Sequence, residues 1–340
     1  MISLVSLGLR SHLDLSLRGL EWCRSADRVY LEGYTDALDT TLEELGELVG
    51  RPVKPLTRKA LEEDSHTLLE EARGQDVAIL VGGDALSATT HISLLVDARR
   101  MGIPVRVSHG SSIFTAVAET GLSLYKFGKA VTVPLPEKGG LETVLGTIEG
   151  NREQGLHTLL LLDLDVEAGR HLSAGEAAGM LVKAGLEEDN LMVAAARLGS
   201  PDRAIVAGTA GMIAKTHLGD PPHILVAPGP LHFMEAEALQ VLHGCPRKAL
   251  DSHNPRGPTE RLVEKYTRGC RRVLAEMRVG EGPWQLGVQE VRSLVDHAQR
   301  YLEDAEYYAL DQRPTALACV AYAEGVLDAL KLLGLAEFEW

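Results

Sequence analysis

The sequence predicts an α/β protein with two sheet-bearing domains, a parallel sheet first and a mixed one second, followed by an all-α C-terminal hairpin or bundle. Three observations lead there. From Ile2 to Ala227, short apolar and β-branched runs alternate with helical patterns, the signature of βαβ units. Two of the later runs, Leu191–Leu198 and Ala204–Gly208, are separated only by a Gly199-Ser-Pro-Asp turn, which reads as a hairpin and so makes the second sheet mixed. After Asp251-Ser-His-Asn-Pro-Arg-Gly-Pro258 the pattern becomes helical throughout.

The expected strands are Ile2–Leu9, Asp27–Leu31, Val53–Leu56, Val77–Gly82, Val105–His109, Ala130–Pro134, Thr158–Asp163, Leu191–Leu198, Ala204–Gly208 and Ile224–Ala227. Helical periodicity fills Asp14–Arg24, Lys59–Arg73, Thr89–Met101, Ser111–Thr120, Leu141–Gln154 and Ser173–Ala184. The Pro134-Leu-Pro-Glu-Lys-Gly-Gly140 stretch breaks the pattern and marks a boundary. The resulting layout is Met1–Pro134, Leu135–Leu250, a linker Asp251–Thr259 and a helical region Glu260–Trp340. In the tail, Val288, Val291, Val295, Ala298, Leu302, Ala305 and Ala309 recur in steps of three and four. Ala316, Val320, Ala323, Leu327 and Leu330 repeat the rhythm after Asp311-Gln-Arg-Pro314, so two helices pair along narrow seams of small residues. A preceding helix, Glu260–Met277, carries the basic stripe Arg261, Lys265, Arg268 and Arg272. The stripe reads either as a solvated face or as a docking surface for an acidic or RNA-bearing partner.

Composition narrows the function. With 340 residues, 45% apolar, 34 glycines and only 4% aromatics, the chain fits a turn-rich α/β enzyme with an aliphatic core. Its formal charge of −14 argues against nucleic acid as the main partner, because phosphate binding relies on clustered Lys and Arg. Cys23, Cys245, Cys270 and Cys319 form no CxxC pair and read as reduced, buried thiols of a cytoplasmic protein. The first residues lack a basic stretch ahead of their apolar run and read as a strand, and no apolar stretch approaches the length of a membrane span.

Several catalytic signatures are missing. No GxGxxG follows the first strand, no GxxxxGK[ST] phosphate loop occurs, and neither HExxH nor GxSxG is present. What remains is a set of strand ends. The clearest is Val77-Ala-Ile-Leu-Val-Gly-Gly-Asp-Ala-Leu-Ser-Ala-Thr-Thr-His91, an apolar run stopping at Gly82-Gly83-Asp84 with a helix expected to start at Ser87 or Thr89. Open parallel sheets bind ligands beyond the carboxyl ends of their strands. Ends at Leu9, Ser111-Ser112-Ile113, Leu162-Asp163, Arg197-Leu198 and Pro221-Pro222-His223 are each a plausible structural corner, but jointly they outline a cleft. Such a cleft suits a nucleoside-like cofactor that needs no pyrophosphate cradle.

Longer motifs sharpen the picture. Gly83-Asp-Ala-Leu-Ser-Ala-Thr-Thr-His91, Gly121-Leu-Ser-Leu-Tyr-Lys-Phe-Gly128, Gly155-Leu-His-Thr-Leu-Leu-Leu-Leu-Asp163 and Gly219-Asp-Pro-Pro-His-Ile224 resemble the diphthine synthase family. Leu31-Glu-Gly-Tyr-Thr35 and Pro228-Gly-Pro-Leu-His-Phe-Met-Glu-Ala-Glu237 agree, in consistent order over about the first 250 residues. The resemblance implies the tetrapyrrole-methylase fold, with S-adenosyl-L-methionine bound between two α/β domains and S-adenosyl-L-homocysteine released. It implies methylation of the amino group of the 3-amino-3-carboxypropyl histidine of translation elongation factor 2, and a homodimer. It also assigns cofactor contacts to Leu9, Asp84, Ser87, Ser112, Ile113, Leu162, Leu198 and His223. Methyl transfer from a sulfonium needs positioning and desolvation, so neither nucleophile nor metal is expected. Asp84 is the leading polar candidate, with helix capping as its plainer role. His223 is a candidate hydrogen-bond partner for the adenosine.

Two departures stand out. Ala85 replaces a proline usual in the family, and Gly110-Ser111 replaces a Pro-Ser approach; both are expected to loosen their loops. The tail, through Tyr301-Leu-Glu-Asp-Ala305 and Thr315–Gly325, resembles a small archaeal helical domain of unknown function. Two other readings remain: a precorrin-type tetrapyrrole methylase, and an inactive methylase-fold scaffold acting through its helical tail.

Overall fold

Val77, Ala78, Ile79, Leu80 and Val81 are all fully buried, and their side chains alternate between two different apolar clusters. A strand buried on both faces loses the polar alternation of an exposed sheet, which is why the sequence shows a continuous apolar run. Each of the valine, isoleucine and leucine side chains contributes roughly 1.5–3 kcal/mol on leaving water. This strand sits at the centre of a five-stranded sheet ordered β3-β2-β4-β1-β5. Its members are β1 (Ile2–Ser6), β2 (Arg28–Glu32), β3 (Val53–Leu56), β4 (Val77–Val81) and β5 (Val105–Ser108). Every pairing in it is parallel. Helices α1 (Leu17–Ser25) and α2 (Leu42–Val49) contribute to the cluster on one face; α3 (Ser65–Gly74) and α4 (Ile92–Arg100) contribute to the other.

The second sheet is mixed, with order β11-β10-β12-β7-β6. Strand β6 (Val131–Val133) pairs in parallel with β7 (Thr158–Leu162) through the crossover helix α6 (Leu141–Glu153). A small ladder, β8 (Leu164–Asp165) with β9 (Arg170–His171), leads to α7 (Ala174–Lys183). Strands β10 (Leu191–Ala196) and β11 (Ala204–Thr209) form the expected hairpin, and β12 (His223–Ala227) runs antiparallel to both β10 and β7. Short helices α5 (Ile113–Ala116), α8 (Ala210–Ile213), α9 (Phe233–His243) and α10 (Arg247–Ser252) complete this part.

The structure, a computed structural model, describes residues 1–34, 38–165, 168–253, 258–279, 287–309 and 312–340. Its contacts divide it into two compact units: Met1–Asn151 with Leu156–His253, and Arg152–Gly155 with Asn254–Trp340. Both sheets belong to the first unit. In the second, α11 (Pro258–Glu276), α12 (Val288–Tyr308) and α13 (Arg313–Leu332) pack as a bundle, with β13 (Arg278–Val279) paired to β14 (Ala336–Glu337). Ala298, Ala305, Ala316 and Ala323 are fully buried along the seams, as the spacing predicts. Val288 is not: it is 42% exposed, one turn ahead of the first packed residue, Val291.

Some expectations need correction. The pattern Lys59–Arg73 is broken at Asp64 into a wide turn and α3, and Ser111–Thr120 divides into α5 and a tighter turn over Val117–Thr120. The second sheet starts before Pro134, since Val131–Val133 pairs with β7. The four cysteines are free, but Cys319 is only half-buried. In the basic helix Arg271, outside the expected stripe, pairs with Glu306 at 2.6 Å. Residues 254–257 of the linker, Asp311 of the interhelical turn and the side chain of Arg261 lie outside what the structure describes.

Candidate functional site

All five C-terminal ends of the parallel sheet open on one side, and the loops there are tied to one another. Gly8 and Gly83, just past β1 and β4, exchange backbone hydrogen bonds of 3.1 and 2.7 Å. The amide of Ala85 donates to the Ser6 hydroxyl at 2.9 Å. A proline there would lack that donor, so Ala85 fastens the loop, contrary to the loosening expected from the sequence. Gly110 sits where only a glycine fits: a Cβ on it would come within 2.7 Å of Ser6 Cβ.

Asp84 joins the same corner. Its Oδ1 accepts from the amide of Leu86 (3.0 Å) and the hydroxyl of Ser87 (3.2 Å). Its Oδ2 accepts from His109 Nδ1 (2.9 Å) and the amide of Gly110 (3.2 Å). Burial alone would raise its pKa, but the Leu86 amide, His109 and the Gly110 amide together hold the carboxyl below its ordinary value. Four donors fill the acceptor positions of a carboxylate. Asp84 thus acts as a brace between the ends of β4 and β5, and the expected ligand hydrogen bond is replaced by protein partners. It does not cap α4 either, because that helix begins at Ile92, later than the sequence suggests. The intervening residues form turns in which Thr89 Oγ1 donates to the Ala85 carbonyl (2.8 Å) and Ala88 adopts a left-handed φ of 59°.

On the mixed sheet the corresponding brace is a cation. Arg197, just past β10 and itself left-handed at φ 51°, is 9% exposed. Its Nε contacts Asp202 Oδ2 at 2.6 Å, and its terminal nitrogens donate to the carbonyls of Leu218 (2.9 Å), Asp220 (2.5 Å) and Asp202 (2.9 Å). His223 opens β12 nearby. Its Nδ1 accepts from the Ala174 amide (3.1 Å), so Nε2 carries the proton and donates to the Asp220 carbonyl (3.0 Å). Burial holds this imidazole neutral, below its usual pKa, against the pull of the Asp220 and Gly219 carbonyls. Both ring nitrogens are engaged within the protein, which removes the adenosine hydrogen bond expected of this residue. Asp163, at the end of β7, takes Lys138 Nζ (2.7 Å) and the amides of Leu135 (3.1 Å) and Leu164 (3.0 Å).

Between these corners lies a cavity of about 360 Å³, within the range of small-molecule sites. Leu9, Asp84, Ser87, Ser112, Ile113, Leu162, Leu198 and His223 all line it. The structure therefore brings together the eight residues that sequence reasoning singled out. The two sheets approach closely here: a Cβ on Gly199 would meet Leu9 Cδ1 at 2.9 Å. Ser112 caps α5 by accepting from the Phe114 amide at 3.3 Å, which leaves its hydroxyl proton for another acceptor. The lining also includes Arg197, named among the strand ends, and residues that sequence reasoning missed, notably Tyr34, Arg58, Thr89, Thr132 and Ala195. Tyr34 and Arg58 follow β2 and β3, so the same rule of looking past strand ends would have found them. Among the described residues no His, Cys, Asp and Glu cluster is arranged to hold a metal ion.

A fold of two α/β sheets with a cleft at their strand ends, and no phosphate loop, defines a class. A family model described as Tetrapyrrole (Corrin/Porphyrin) Methylases matches residues 1–214. The chain is 43% identical over 254 residues to the diphthine synthase of Methanocella arvoryzae, a match covering 72% of this chain and 98% of that one. It is 38% identical to the diphthine synthase of Methanocaldococcus jannaschii, covering 71% and 98%. A crystal structure of diphthine synthase superposes with a TM-score of 0.69 at 37% identity, covering 73% of this chain and 98% of the other. The chain belongs to the diphthine synthase family of tetrapyrrole methylases. A second family model, described as a protein of unknown function (DUF357), matches residues 265–336, within the helical bundle.

Proposed function

We propose that this chain is an S-adenosyl-L-methionine-dependent methyltransferase acting on the 3-amino-3-carboxypropyl histidine of translation elongation factor 2, as a step of diphthamide formation. One observation carries the reading: eight strand-end residues, drawn from both sheets, converge on one cavity in a chain 43% identical to a diphthine synthase over 98% of its length. S-adenosyl-L-methionine would supply a methyl group on a sulfonium, an electrophile that needs no acid or metal to activate its leaving group.

The residues present suit that group. Leu9, Ile113, Leu162 and Leu198 give apolar walls that exclude water, and Ser87 and Ser112 offer hydroxyls to a nucleoside. Gly82 and Gly83 let the backbone approach closely. Asp84 and Asp163 are both held below the ordinary carboxylate range: burial opposes this, but in each case hydrogen bonds and a neighbouring cationic side chain or imidazole outweigh it. They stay anionic and favour a cation in the cavity without spending a hydrogen bond on it. Catalysis then rests on orientation and desolvation. An acceptor ammonium must lose its proton before it can react, and water at the open rim suffices to take it.

The reading is tested by mass spectrometry of elongation factor 2 carrying the 3-amino-3-carboxypropyl group, incubated with the enzyme and S-adenosyl-L-methionine. Successive methyl masses up to the trimethylammonium form are expected on that histidine. An unchanged mass, with the factor and enzyme both folded, overturns it; methylation of a free macrocycle in the same assay transfers the chain to the precorrin-type reading.

A further inference from the structure

His91, immediately before α4, is 2% exposed. Its Nδ1 faces the carbonyl of Ala85 at 3.0 Å, so this nitrogen carries a proton and donates it. The other ring nitrogen, Nε2, is buried and has no hydrogen-bond partner among the described residues. A polar atom left in that state costs stability, and an apolar ring of similar shape would avoid the cost. Core packing alone therefore does not account for a histidine here, whereas its one hydrogen bond does.

That bond ends on the residue that anchors the cavity lip. Ala85 is fully buried; its amide donates to Ser6 at the end of β1, and its carbonyl accepts from Thr89 Oγ1 (2.8 Å) as well as from His91. Between Ala85 and His91, the residues Ser87, Ala88 and Thr89 line the cavity. Ala88 holds a left-handed φ of 59° there. A non-glycine residue keeps such a conformation only where its surroundings over-determine it. Thr89 belongs to the lip and would turn with it. His91 stands at the start of a helix, so its imidazole ties the lip to a rigid element.

We propose that His91 is a positioning residue for the cofactor: it holds the lip of Ser87, Ala88 and Thr89 in the shape that receives the nucleoside, at a cost to the stability of the fold. The inference rests on the methyltransferase reading above, which makes this cavity the cofactor site. His91 acts through the Ala85 carbonyl, and the Ser87 hydroxyl is the group whose place it fixes.

Calorimetry of S-adenosyl-L-homocysteine, thermal unfolding and amide hydrogen exchange on His91→Phe and His91→Asn test this. Phenylalanine keeps a ring and removes both nitrogens. Asparagine sets its amide nitrogen where Nδ1 stands and gives up the rest of the ring. His91→Phe should melt within about 2 °C of wild type or above it, yet bind S-adenosyl-L-homocysteine roughly tenfold more weakly. The amides of Leu86 and Ser87, both bonded to Asp84, should exchange about tenfold faster in that variant. His91→Asn leaves a void and should melt lower, while its affinity stays within about threefold of wild type and its exchange matches wild type. Stability and affinity thus move in opposite senses, which a merely structural role would not produce. Wild-type affinity and exchange in His91→Phe, or affinities that follow the melting temperatures in both variants, overturn it. Should the phenylalanine variant not fold, His91→Leu makes the same comparison. If a folded wild type binds no S-adenosyl-L-homocysteine, the methyltransferase reading fails, and the exchange of the lip amides still judges His91.

Discussion

The two sheets anchor their strand-end loops with opposite charges, and the reason is topological. In the parallel sheet the ends of β4 and β5 emerge side by side with only β1 between them, so a short carboxylate, Asp84, reaches both. In the mixed sheet β10 ends where β12 begins, Ala196 facing His223, and the chain between them makes a long excursion. Gathering it requires a longer side chain, and Arg197 collects carbonyls from residues 202, 218 and 220. Both braces spend their charge on the protein. The cavity is lined by apolar walls, hydroxyls and backbone, with the carboxylates of Asp84 and Asp163 and the guanidinium of Arg197 each tied to protein partners.

The comparison breaks most readily at Arg197. Replacing it by alanine strips donors from buried carbonyls and should cost about 2–4 kcal/mol in urea unfolding. S-adenosyl-L-homocysteine affinity should fall at least tenfold, because Pro222 and His223 shift with the loop. Loss of stability with unchanged affinity would show that this loop is no part of the site.

A buried network outside the cavity lining offers the contrast. Glu235, 2% exposed, takes Lys126 Nζ (2.5 Å), His157 Nε2 (3.2 Å) and the amides of Ser123 and His232. Burial opposes ionisation, but Lys126 and the amides outweigh it, lowering its pKa from 4.5 to about 2. A depressed carboxyl stabilises the fold above its unfolded pKa and loses that contribution as pH falls toward the folded value. About 3 kcal/mol should therefore disappear between pH 5 and pH 2 in wild type, and much less in Glu235→Gln. His157 and His223, both kept below their usual pKa by burial, add to the same trend starting near pH 6.5. Cofactor affinity of Glu235→Gln at neutral pH should match wild type, and a clear drop would mean the network reaches the site.

Asp84→Asn is expected to be milder. With its amide nitrogen in place of Oδ2 it removes the acceptor shared by His109 and Gly110, costs about 1–2 kcal/mol in thermal unfolding, and weakens S-adenosyl-L-homocysteine binding severalfold. A loss confined to binding would return Asp84 to a direct ligand role. The smallest effect belongs to Ala88→Gly, which relieves a left-handed alanine on the cavity lip and should raise stability by less than about 1 kcal/mol. A lowered melting temperature would show that the alanine methyl is packed and useful.

Much of this was legible in the sequence because burial on both faces writes an unmistakable apolar run, as in Val77–Val81, and because glycines and hydroxyls cluster where such runs end. Strand ends read that way supplied the candidate corners, and the resemblance to the diphthine synthase family selected the eight lining residues among them. What stayed hidden depends on partners distant in sequence. Asp84 is explained by His109 and Gly110, and His223 by Ala174, none of which its own neighbourhood announces. The delayed start of α4 has the same origin, since the Asp84 turn uses residues that look helical by spacing. Arg58 and Tyr34 follow strand ends to which that rule was not applied.

The central claim is that the cavity between the two sheets is where S-adenosyl-L-methionine binds. Titration calorimetry of S-adenosyl-L-homocysteine against wild type and Leu162→Trp, with near-UV circular dichroism to check folding, tests it most directly. One site per chain in wild type, and at least a hundredfold weaker binding when the indole fills the cavity, is the expected result. Equal binding by both proteins, or none by a folded wild type, would contradict it.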